Sequence, residues 1–258
     1  MNDPTEDVEI ITIEGGIGVG KSTVMDALRK ARPSMYFIDE PVKQWEETGL
    51  LDAMYQNTIP PGTFQIAALS TRMAPLLRAV REGHRIIVTE RSPWSDLKVF
   101  TEANLSAGSI ELTAYRMAYD ALMTAMPSRV RLCNIYLTAS VDTLQKRMAW
   151  RARDAEKTNS EEERASRRAY LEKLQERHDE FFGLTAQDLG VVHYAGHRID
   201  SEQSVLKVAL DAEWALSRIA PVKLEPFEKK HPCSAEGAPG DKALSPTDQP
   251  AAKRSCSA

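Results

Sequence analysis

The sequence is poor in cysteine, has no long apolar run and carries no excess of basic residues. Its three cysteines, Cys133, Cys233 and Cys256, are far apart and form no C-x-x-C pair, which argues against a disulfide framework or a zinc site. No apolar run approaches the length of a membrane-spanning helix. A net charge of −4 makes binding to the phosphates of duplex nucleic acid a poor hypothesis.

The two ends of the chain differ in composition from its middle. Residues 1–7 are acidic and polar and have the features of neither a signal peptide nor a transit peptide, so we expect a cytoplasmic or nuclear protein without membrane partners. Residues 221–258 are rich in Pro, Ala, Ser, Lys and Glu, which is typical of a disordered tail. The predicted organisation is a flexible N-terminus at 1–7, one domain at 8–220 and a tail at 221–258.

Within the predicted domain, apolar runs alternate with helical patterns. Strands separated by helices predict an α/β fold with a parallel sheet of about five strands and helices on both faces. The predicted strands occupy 8–14, 35–39, 84–89, 130–138 and 191–194. The predicted helices occupy 22–31, 64–81, 93–104, 110–126, 141–151, 165–182 and 205–219.

A glycine-rich segment follows the first predicted strand and precedes the first predicted helix. It fits the pattern G-x-x-x-x-G-K-[ST], whose backbone N–H groups and helix N-terminus attract phosphates. Lys21 is expected at the β- and γ-phosphates and Ser22 at Mg²⁺. The segment thus predicts ATP binding with Mg²⁺, against the alternative of a glycine-rich turn with a chance Lys-Ser. The predicted loop residues are Gly15, Gly16, Ile17, Gly18, Val19, Gly20, Lys21, Ser22 and Thr23.

Acidic and basic side chains follow the next two predicted strands, at the edge of a parallel sheet where ligands bind. Glu40 could accept the proton of an attacking hydroxyl, or it could simply favour a helix N-terminus. Glu90 is placed to hold Mg²⁺ and Arg91 to contact the moving phosphoryl group. A surface ion pair between these two residues is the alternative.

Basic residues accumulate where a predicted helix enters a charged segment without apolar periodicity. Arg147 and Arg151 are four residues apart and share a helix face, and Arg153 follows them. We interpret residues 147–168 as a basic lid over the ATP phosphates. A run of charges that is merely solvated is the alternative.

Taken together, these segments resemble the deoxynucleoside kinase family, which includes deoxycytidine, deoxyguanosine and mitochondrial thymidine kinases, an insect relative and viral kinases. The resemblance extends from residue 11 to about residue 182. It implies a P-loop NTPase-like fold and ATP-dependent phosphorylation of the 5′-hydroxyl of a deoxynucleoside in nucleotide salvage. The resemblance rests on these segments: Ile13 to Gly18, Glu40-Pro41-Val42 with Trp45, Met54-Tyr55, Phe64-Gln65, Glu90-Arg91-Ser92 with Ser95-Asp96, Arg147 to Arg153 and Tyr170 to Leu174.

The resemblance also implies individual roles for the site residues. Glu40 would be the general base, and Arg91 would hold the 5′-oxygen and the phosphate. Tyr55 would bind the 3′-hydroxyl with Glu156, although the segment between Arg153 and Tyr170 is longer than usual for the family. Members are usually homodimers formed through long helices, which would suit residues 93–126. The remaining implied substrate residues are Gln65 at the base edge, Trp45, Phe64 and Phe100 as walls of the base pocket, and Ala68, Arg72 and Asp96 along it.

Arg72 and Asp96 carry the prediction of base preference. Facing each other, they would form an ion pair whose carboxylate can accept from an exocyclic amino group and which crowds the place of a thymine methyl. We therefore expect deoxycytidine or purine deoxynucleosides to be preferred over thymidine. If the two residues pair elsewhere, thymidine would be accepted well.

Three rival functions are weighed against this one. A nucleoside monophosphate kinase such as thymidylate kinase shares the fold, but would resemble an Asp-Arg motif where this chain has Glu90-Arg91. A non-catalytic fold relative within a larger assembly could have lost Lys21 or Glu40, and both are present. A GTP switch is disfavoured because the sequence has no Asn-Lys-x-Asp-type signature.

Overall fold

The structure, a computed structural model, describes residues 7–151, 153 and 160–219. Its strands are β1 (Val8–Gly15), β2 (Tyr36–Ile38), β3 (Ile86–Glu90), β4 (Val130–Thr138) and β5 (His193–Asp200). Its helices are α1 (Lys21–Ala31), α2 (Val42–Glu47), α3 (Leu50–Tyr55), α4 (Pro61–Arg81), α5 (Pro93–Ser95), α6 (Glu102–Asn104), α7 (Ile110–Met123), α8 (Val141–Arg151), α9 (Glu161–Phe182), α10 (Ala186–Leu189) and α11 (Val205–Ile219), with a π-helical turn (Asp96–Thr101) between α5 and α6. The predicted tail at 221–258, residues 1–6 and Glu156 lie outside the described residues.

The five strands form one parallel sheet in the order β2-β3-β1-β4-β5. β1 lies at its centre because both of its faces are apolar: Ile11 and Ile13 belong to one buried cluster and Val8 and Ile10 to another. The carboxyl ends of β1, β2 and β3 lead into Gly15, Glu40 and Arg91 respectively, so the candidate residues of three chain segments meet at one edge of the sheet. The α/β fold with about five parallel strands is confirmed.

Helices cover both faces of the sheet, and each contributes an apolar stripe. On one face, α1, α8 and α11 supply Met25, Leu144 and Leu216 to the core. On the other face, α4 and α7 supply Met73 and Tyr115. No helix among the described residues is long and apolar enough to span a bilayer.

Several predicted boundaries are wrong in informative ways. The last strand was expected at 191–194 but runs over His193–Asp200, because this edge strand carries polar residues that hide its extent. Residues 161–164 of the charged segment, expected to lie before the helix, already belong to α9, which Ser160 caps by accepting a hydrogen bond from the Glu163 N–H. The short helices α2, α3 and α10 were not predicted.

Candidate active site

The glycine-rich segment forms a loop between β1 and α1. Gly15 has φ +135°, and a side chain there would place its Cβ 2.4 Å from the Leu137 carbonyl oxygen. Gly18 has φ +83° and approaches the backbone of α8 closely. Only glycine meets both demands, so the loop can curl in front of the N-terminus of α1 with its backbone facing the cavity.

Lys21 and Ser22 begin α1, beside the carboxylate that ends β3. Lys21 Nζ donates to the carbonyl oxygens of Gly15 (3.4 Å) and Gly16 (3.2 Å) and lies 3.8 Å from Glu90 Oε1. The Ser22 hydroxyl donates to Glu90 Oε2 at 3.0 Å. The structure thus brings the loop lysine, the loop serine and the predicted Mg²⁺-binding carboxylate together.

Opposite the loop, Glu40 is held by two arginines. Its Oε1 accepts from Arg91 Nε at 3.0 Å and from Arg72, whose other terminal nitrogen pairs with Asp96. Arg72 therefore bridges two carboxylates, and the Arg72–Asp96 pair is present as an ion pair in the fold. Asp96 is buried and reaches the cavity through Arg72, which lines it directly.

This concentration of buried charge shifts several pKa values. Burial raises the pKa of Glu40, but the charges of Arg91, Arg72 and Lys21 outweigh burial and lower it to about 2. Burial, with the charge of Arg91, lowers the pKa of Lys21 to about 8. Burial raises the pKa of Asp96 to about 6 in spite of Arg72. At neutral pH, Glu40 is therefore a carboxylate that cannot readily take up a proton from water.

Arg91 is fixed from several sides. Its backbone has φ +65°, a left-handed conformation that is unusual for a residue other than glycine and that is found where surrounding structure enforces it. Its NH1 donates to the Gly15 carbonyl at 3.1 Å and lies 3.4 Å from His178 Nε2. The Phe100 ring lies 4.3 Å from the guanidinium carbon. Sequence reasoning missed His178.

A third buried carboxyl lies behind Arg91. Glu14, at the end of β1, accepts from the Ser92 hydroxyl at 3.0 Å, and its Oε2 has no hydrogen-bond partner in the described part of the chain. Burial raises the pKa of Glu14 to about 7, although Arg91 opposes the rise. A raised pKa weakens the negative charge of Glu14 near neutral pH, which leaves more of the Arg91 charge for Glu40 and the cavity.

Aromatic side chains form the far wall of the cavity. Trp45 and Phe64 meet edge to face with ring centroids 5.4 Å apart, and Trp45 is anchored by its Nε1–H to the Thr71 hydroxyl at 3.1 Å. Tyr55 also lines the cavity, and the guanidinium carbon of Arg167 lies 5.7 Å from the centre of its ring. Gln65, Ala68 and Phe100 complete the wall. The structure thus gathers the predicted base-contacting residues around one space.

The predicted lid arginines differ in what they contact. Arg147 donates to the Val19 carbonyl at 2.9 Å and to the Ser201 carbonyl at 2.7 Å, so it ties the glycine-rich loop to the turn after β5. Arg153 pairs with Glu46 of α2 at 3.1 Å. Arg151 is exposed, and all three arginines line the cavity. The donor side of the cavity is therefore bordered by cations on α8 and just beyond it.

The cavity has a volume of about 730 Å³, within the range of small-molecule sites. The glycine-rich loop with Lys21 forms one end of this cavity. Apolar and aromatic side chains form the other end, and Glu40 and Arg91 lie between the two. A loop of this type at the switch point of a parallel sheet is typical of P-loop nucleotide-binding proteins, and the aromatic end of the cavity leaves room for a second substrate beside the phosphate donor.

The particular family follows from comparison with known proteins. The family model for deoxynucleoside kinases matches residues 11–213, and the chain belongs to the deoxynucleoside kinase family. This membership confirms the assignment to a kinase of this family that was made from the sequence. It does not favour a nucleoside monophosphate kinase or a non-catalytic fold relative.

Individual relatives agree with the family. A Fowlpox virus protein described as a probable deoxycytidine kinase is 34% identical over 151 residues, which are 57% of this chain and 63% of that protein. Mitochondrial deoxyguanosine kinase of Xenopus laevis is 28% identical over 198 residues, which are 67% of this chain and 72% of the relative. A deoxyadenosine kinase structure from M. mycoides, 23% identical, has a TM-score of 0.60 and covers 81% of this chain and 99% of its own, which supports the fold.

Proposed function

We propose that this chain transfers the γ-phosphoryl group of ATP to the 5′-hydroxyl of a deoxynucleoside. The observation that carries the proposal is that one cavity holds the Lys21 loop at one end, the Glu40–Arg91 contact of 3.0 Å in its middle and an aromatic slot at the other end. A hydroxyl placed at Glu40 would face a phosphate placed on the loop. Positioning and electrostatics supply most of the rate gain in such a transfer.

On the donor side, the loop N–H groups and Lys21 bind the β- and γ-phosphates. Lys21 Nζ donates to the Gly15 and Gly16 carbonyls, and binding to the phosphates would exchange those contacts for phosphate oxygens. The Ser22 hydroxyl and the Glu90 carboxylate lie 3.0 Å apart and are hard oxygen ligands, which fits Mg²⁺ arriving with ATP. When bound, Mg²⁺ would neutralise charge on the phosphates.

On the acceptor side, Glu40 orients the 5′-hydroxyl and accepts its proton. Both arginine hydrogen bonds fall on Oε1, which leaves Oε2 for the substrate. A pKa of about 2 makes Glu40 a weak base, so proton transfer is favourable only once bond formation to phosphorus has acidified the hydroxyl. Arg91, adjacent to Glu40, stabilises negative charge on the phosphoryl oxygens.

The base is proposed to lie between Phe64, Trp45 and Phe100 and to be read by Gln65. We propose a preference for deoxycytidine or purine deoxynucleosides, because Arg72 lines the cavity, is held there by the buried Asp96, and occupies space that a thymine methyl would need. Relatives named for deoxycytidine, deoxyguanosine and deoxyadenosine support this preference.

The experiment that tests the function is turnover with ATP on the four deoxynucleosides and the four deoxynucleoside monophosphates. We expect phosphorylation of nucleosides, with kcat/KM for deoxycytidine or a purine deoxynucleoside above that for thymidine. Turnover of monophosphates alone would support the thymidylate kinase type, and no turnover of either set would support the non-catalytic alternative. A wild-type preference for thymidine over deoxycytidine would overturn the assigned base preference.

Arg72 and Asp96 can be tested as a unit. The double variant Arg72→Met with Asp96→Ala removes both charges, and we expect it to fold and to raise the thymidine-to-deoxycytidine ratio of kcat/KM. Asp96→Ala alone is the matched comparison: it leaves Arg72 buried with only Glu40, and breaking a buried pair costs about 3 kcal/mol or more. An unchanged ratio in the double variant would separate this pair from base choice.

We also propose that the protein forms a homodimer through α7. Ile110 and Met117 on this helix are 87% and 70% exposed, which is unusual for large apolar side chains near each other on one helix. Light scattering should give twice the chain mass, and Met117→Glu should give the monomer. A monomeric wild type would refute the proposal.

A further inference from the structure

His178 lies on the buried face of α9, at a position where that helix otherwise presents apolar side chains. Leu171, Leu174 and Phe181 share this face, and His178 is 1% exposed. Its ring stacks on Tyr136 of β4 with centroids 5.8 Å apart and meets Phe100 edge to face at 5.7 Å. The ring is therefore clamped in one orientation by aromatic packing. It does not line the cavity.

The hydrogen bonds of His178 define its tautomer. Its Nδ1 lies 2.7 Å from the Leu174 carbonyl oxygen, which can only accept, so Nδ1 carries the proton. Its Nε2 lies 3.4 Å from NH1 of Arg91, which can only donate, so Nε2 presents a lone pair. Burial and the charge of Arg91 lower the pKa of His178 to about 3, which keeps the ring neutral at physiological pH.

His178 Nε2 accepts from one of the N–H donors of the Arg91 guanidinium. The guanidinium has five N–H groups in a planar fork. The Nε–H serves Glu40, and the two N–H groups of NH1 serve the Gly15 carbonyl and His178 Nε2. Within the described chain, NH2 has no hydrogen bond, so it is the nitrogen left for a ligand. Without an acceptor at His178, NH1 would hold one buried donor unsatisfied, and the guanidinium would be held by two hydrogen bonds instead of three.

We propose that His178 is a positioning residue for Arg91: its neutral Nε2 locks NH1 from behind so that NH2 faces the transferred phosphoryl group. This inference rests on the proposed function, because it gives Arg91 its role in phosphoryl transfer. A proton shuttle through His178 does not fit. Arg91 and the Leu174 carbonyl engage its two ring nitrogens, and the His178 side chain does not reach the cavity.

Two amide substitutions, each replacing one ring nitrogen of His178, separate positioning from packing. In His178→Gln, the side-chain amide oxygen can take the place of Nε2 and accept from Arg91. In His178→Asn, the shorter amide can keep the donor to the Leu174 carbonyl but does not reach Arg91. We expect Asn to lower kcat roughly tenfold to a hundredfold, the range for losing a hydrogen bond to a charged group, with the nucleoside KM within about twofold. The Gln variant should have a kcat within about threefold of wild type, with a melting temperature similar to that of the Asn variant.

The matched control is His193→Asn, the same substitution at an exposed histidine of β5, which should leave kcat unchanged. Equal kcat losses in the Asn and Gln variants, following their melting temperatures, would overturn the positioning role. Nitrogen NMR of the wild-type ring provides a readout independent of turnover and of variant folding. A neutral ring protonated at Nδ1 at pH 7 is expected, and a ring protonated at Nε2 would overturn the inference.

Failure of the proposed function gives a different result. If wild-type protein phosphorylates no deoxynucleoside, the proposed function is wrong, and the role assigned to His178 in phosphoryl transfer falls with it. If wild-type protein is active and the Asn and Gln variants do not differ in kcat, only the inference about His178 is wrong.

Discussion

Glu14 offers the sharpest test of the electrostatics beneath the site. The perturbation is Glu14→Gln, which keeps the shape of the side chain and removes its titration. Glu14 is 1% exposed, accepts from Ser92 and does not line the cavity, so the substitution leaves the ligand-contacting atoms in place. What it changes is the response of stability to pH.

The magnitude follows from the two pKa values of this carboxyl. Burial raises the folded-state pKa of Glu14 to about 7 from the ordinary 4.5. The folded chain therefore holds a proton that the unfolded chain has released between these pH values, and wild-type stability falls as pH rises through that window. Linkage predicts that the free energy of unfolding of the wild type falls by about 2.5 kcal/mol between pH 5 and pH 8 because of Glu14. The Gln variant lacks this fall, because its side chain does not titrate.

The assay is urea unfolding of both proteins at pH 5 and pH 8, followed by circular dichroism. The free energy of unfolding of Glu14→Gln, minus that of wild type, should increase by about 2 to 3 kcal/mol from the lower to the higher pH. Any fixed effect of the added amide cancels in this comparison. Glu162→Gln, at an exposed position of α9, is the control for losing one surface carboxylate. A difference that stays within about 0.5 kcal/mol would refute the reasoning, because Glu14 would then ionise as an ordinary carboxyl.

The other predictions concern turnover and the chain end. Lys21→Ala should abolish phosphoryl transfer while the melting temperature changes little, and near wild-type turnover would contradict the kinase mechanism. Glu40→Gln should lower kcat by roughly 10²–10⁴ with nucleoside binding retained, since the base is lost but an oxygen remains for Arg72 and Arg91. Weaker binding at unchanged kcat would instead make Glu40 structural. Deleting residues 226–258, whose sequence has few large apolar residues, should leave activity and melting temperature nearly unchanged, and a large fall in melting temperature would show that this segment docks.

Much of the fold could be predicted because its signals are local. β1, β3 and β4 are rich in buried Ile, Val and Leu, and the glycine-rich pattern fixes the turn between β1 and α1. β5 was placed too early because an edge strand that begins at His193 and continues through His197 and Arg198 has no apolar run to mark it. Its extent depends on pairing with β4, which no local pattern encodes.

The candidate site was less accessible to sequence reasoning where side chains act through one another. Arg72 and Asp96 were expected to face each other, but the bond from Arg72 to Glu40 required knowledge of where α4 crosses the sheet edge. His178 carried one usable signal: a polar residue in the 3–4-residue apolar spacing of Leu174 and Phe181. The dense charge of α9 obscured that spacing.

The π-helical turn at Asp96–Thr101 makes this site sensitive to insertions and deletions. A π turn closes hydrogen bonds from i to i+5, so it accommodates one residue more than an α-helical turn and arises naturally from a single-residue insertion. Asp96 holds Arg72 at its start, and Phe100 covers Arg91 near its end. Removing one residue between them would replace a four-residue spacing in a π turn by a three-residue spacing in an α-helical turn, which changes the angle between the two side chains about the helix axis. Relatives that lack the extra residue would have to recruit a different side chain for one of these two tasks, so the length of this turn is itself a variable through which substrate range can change.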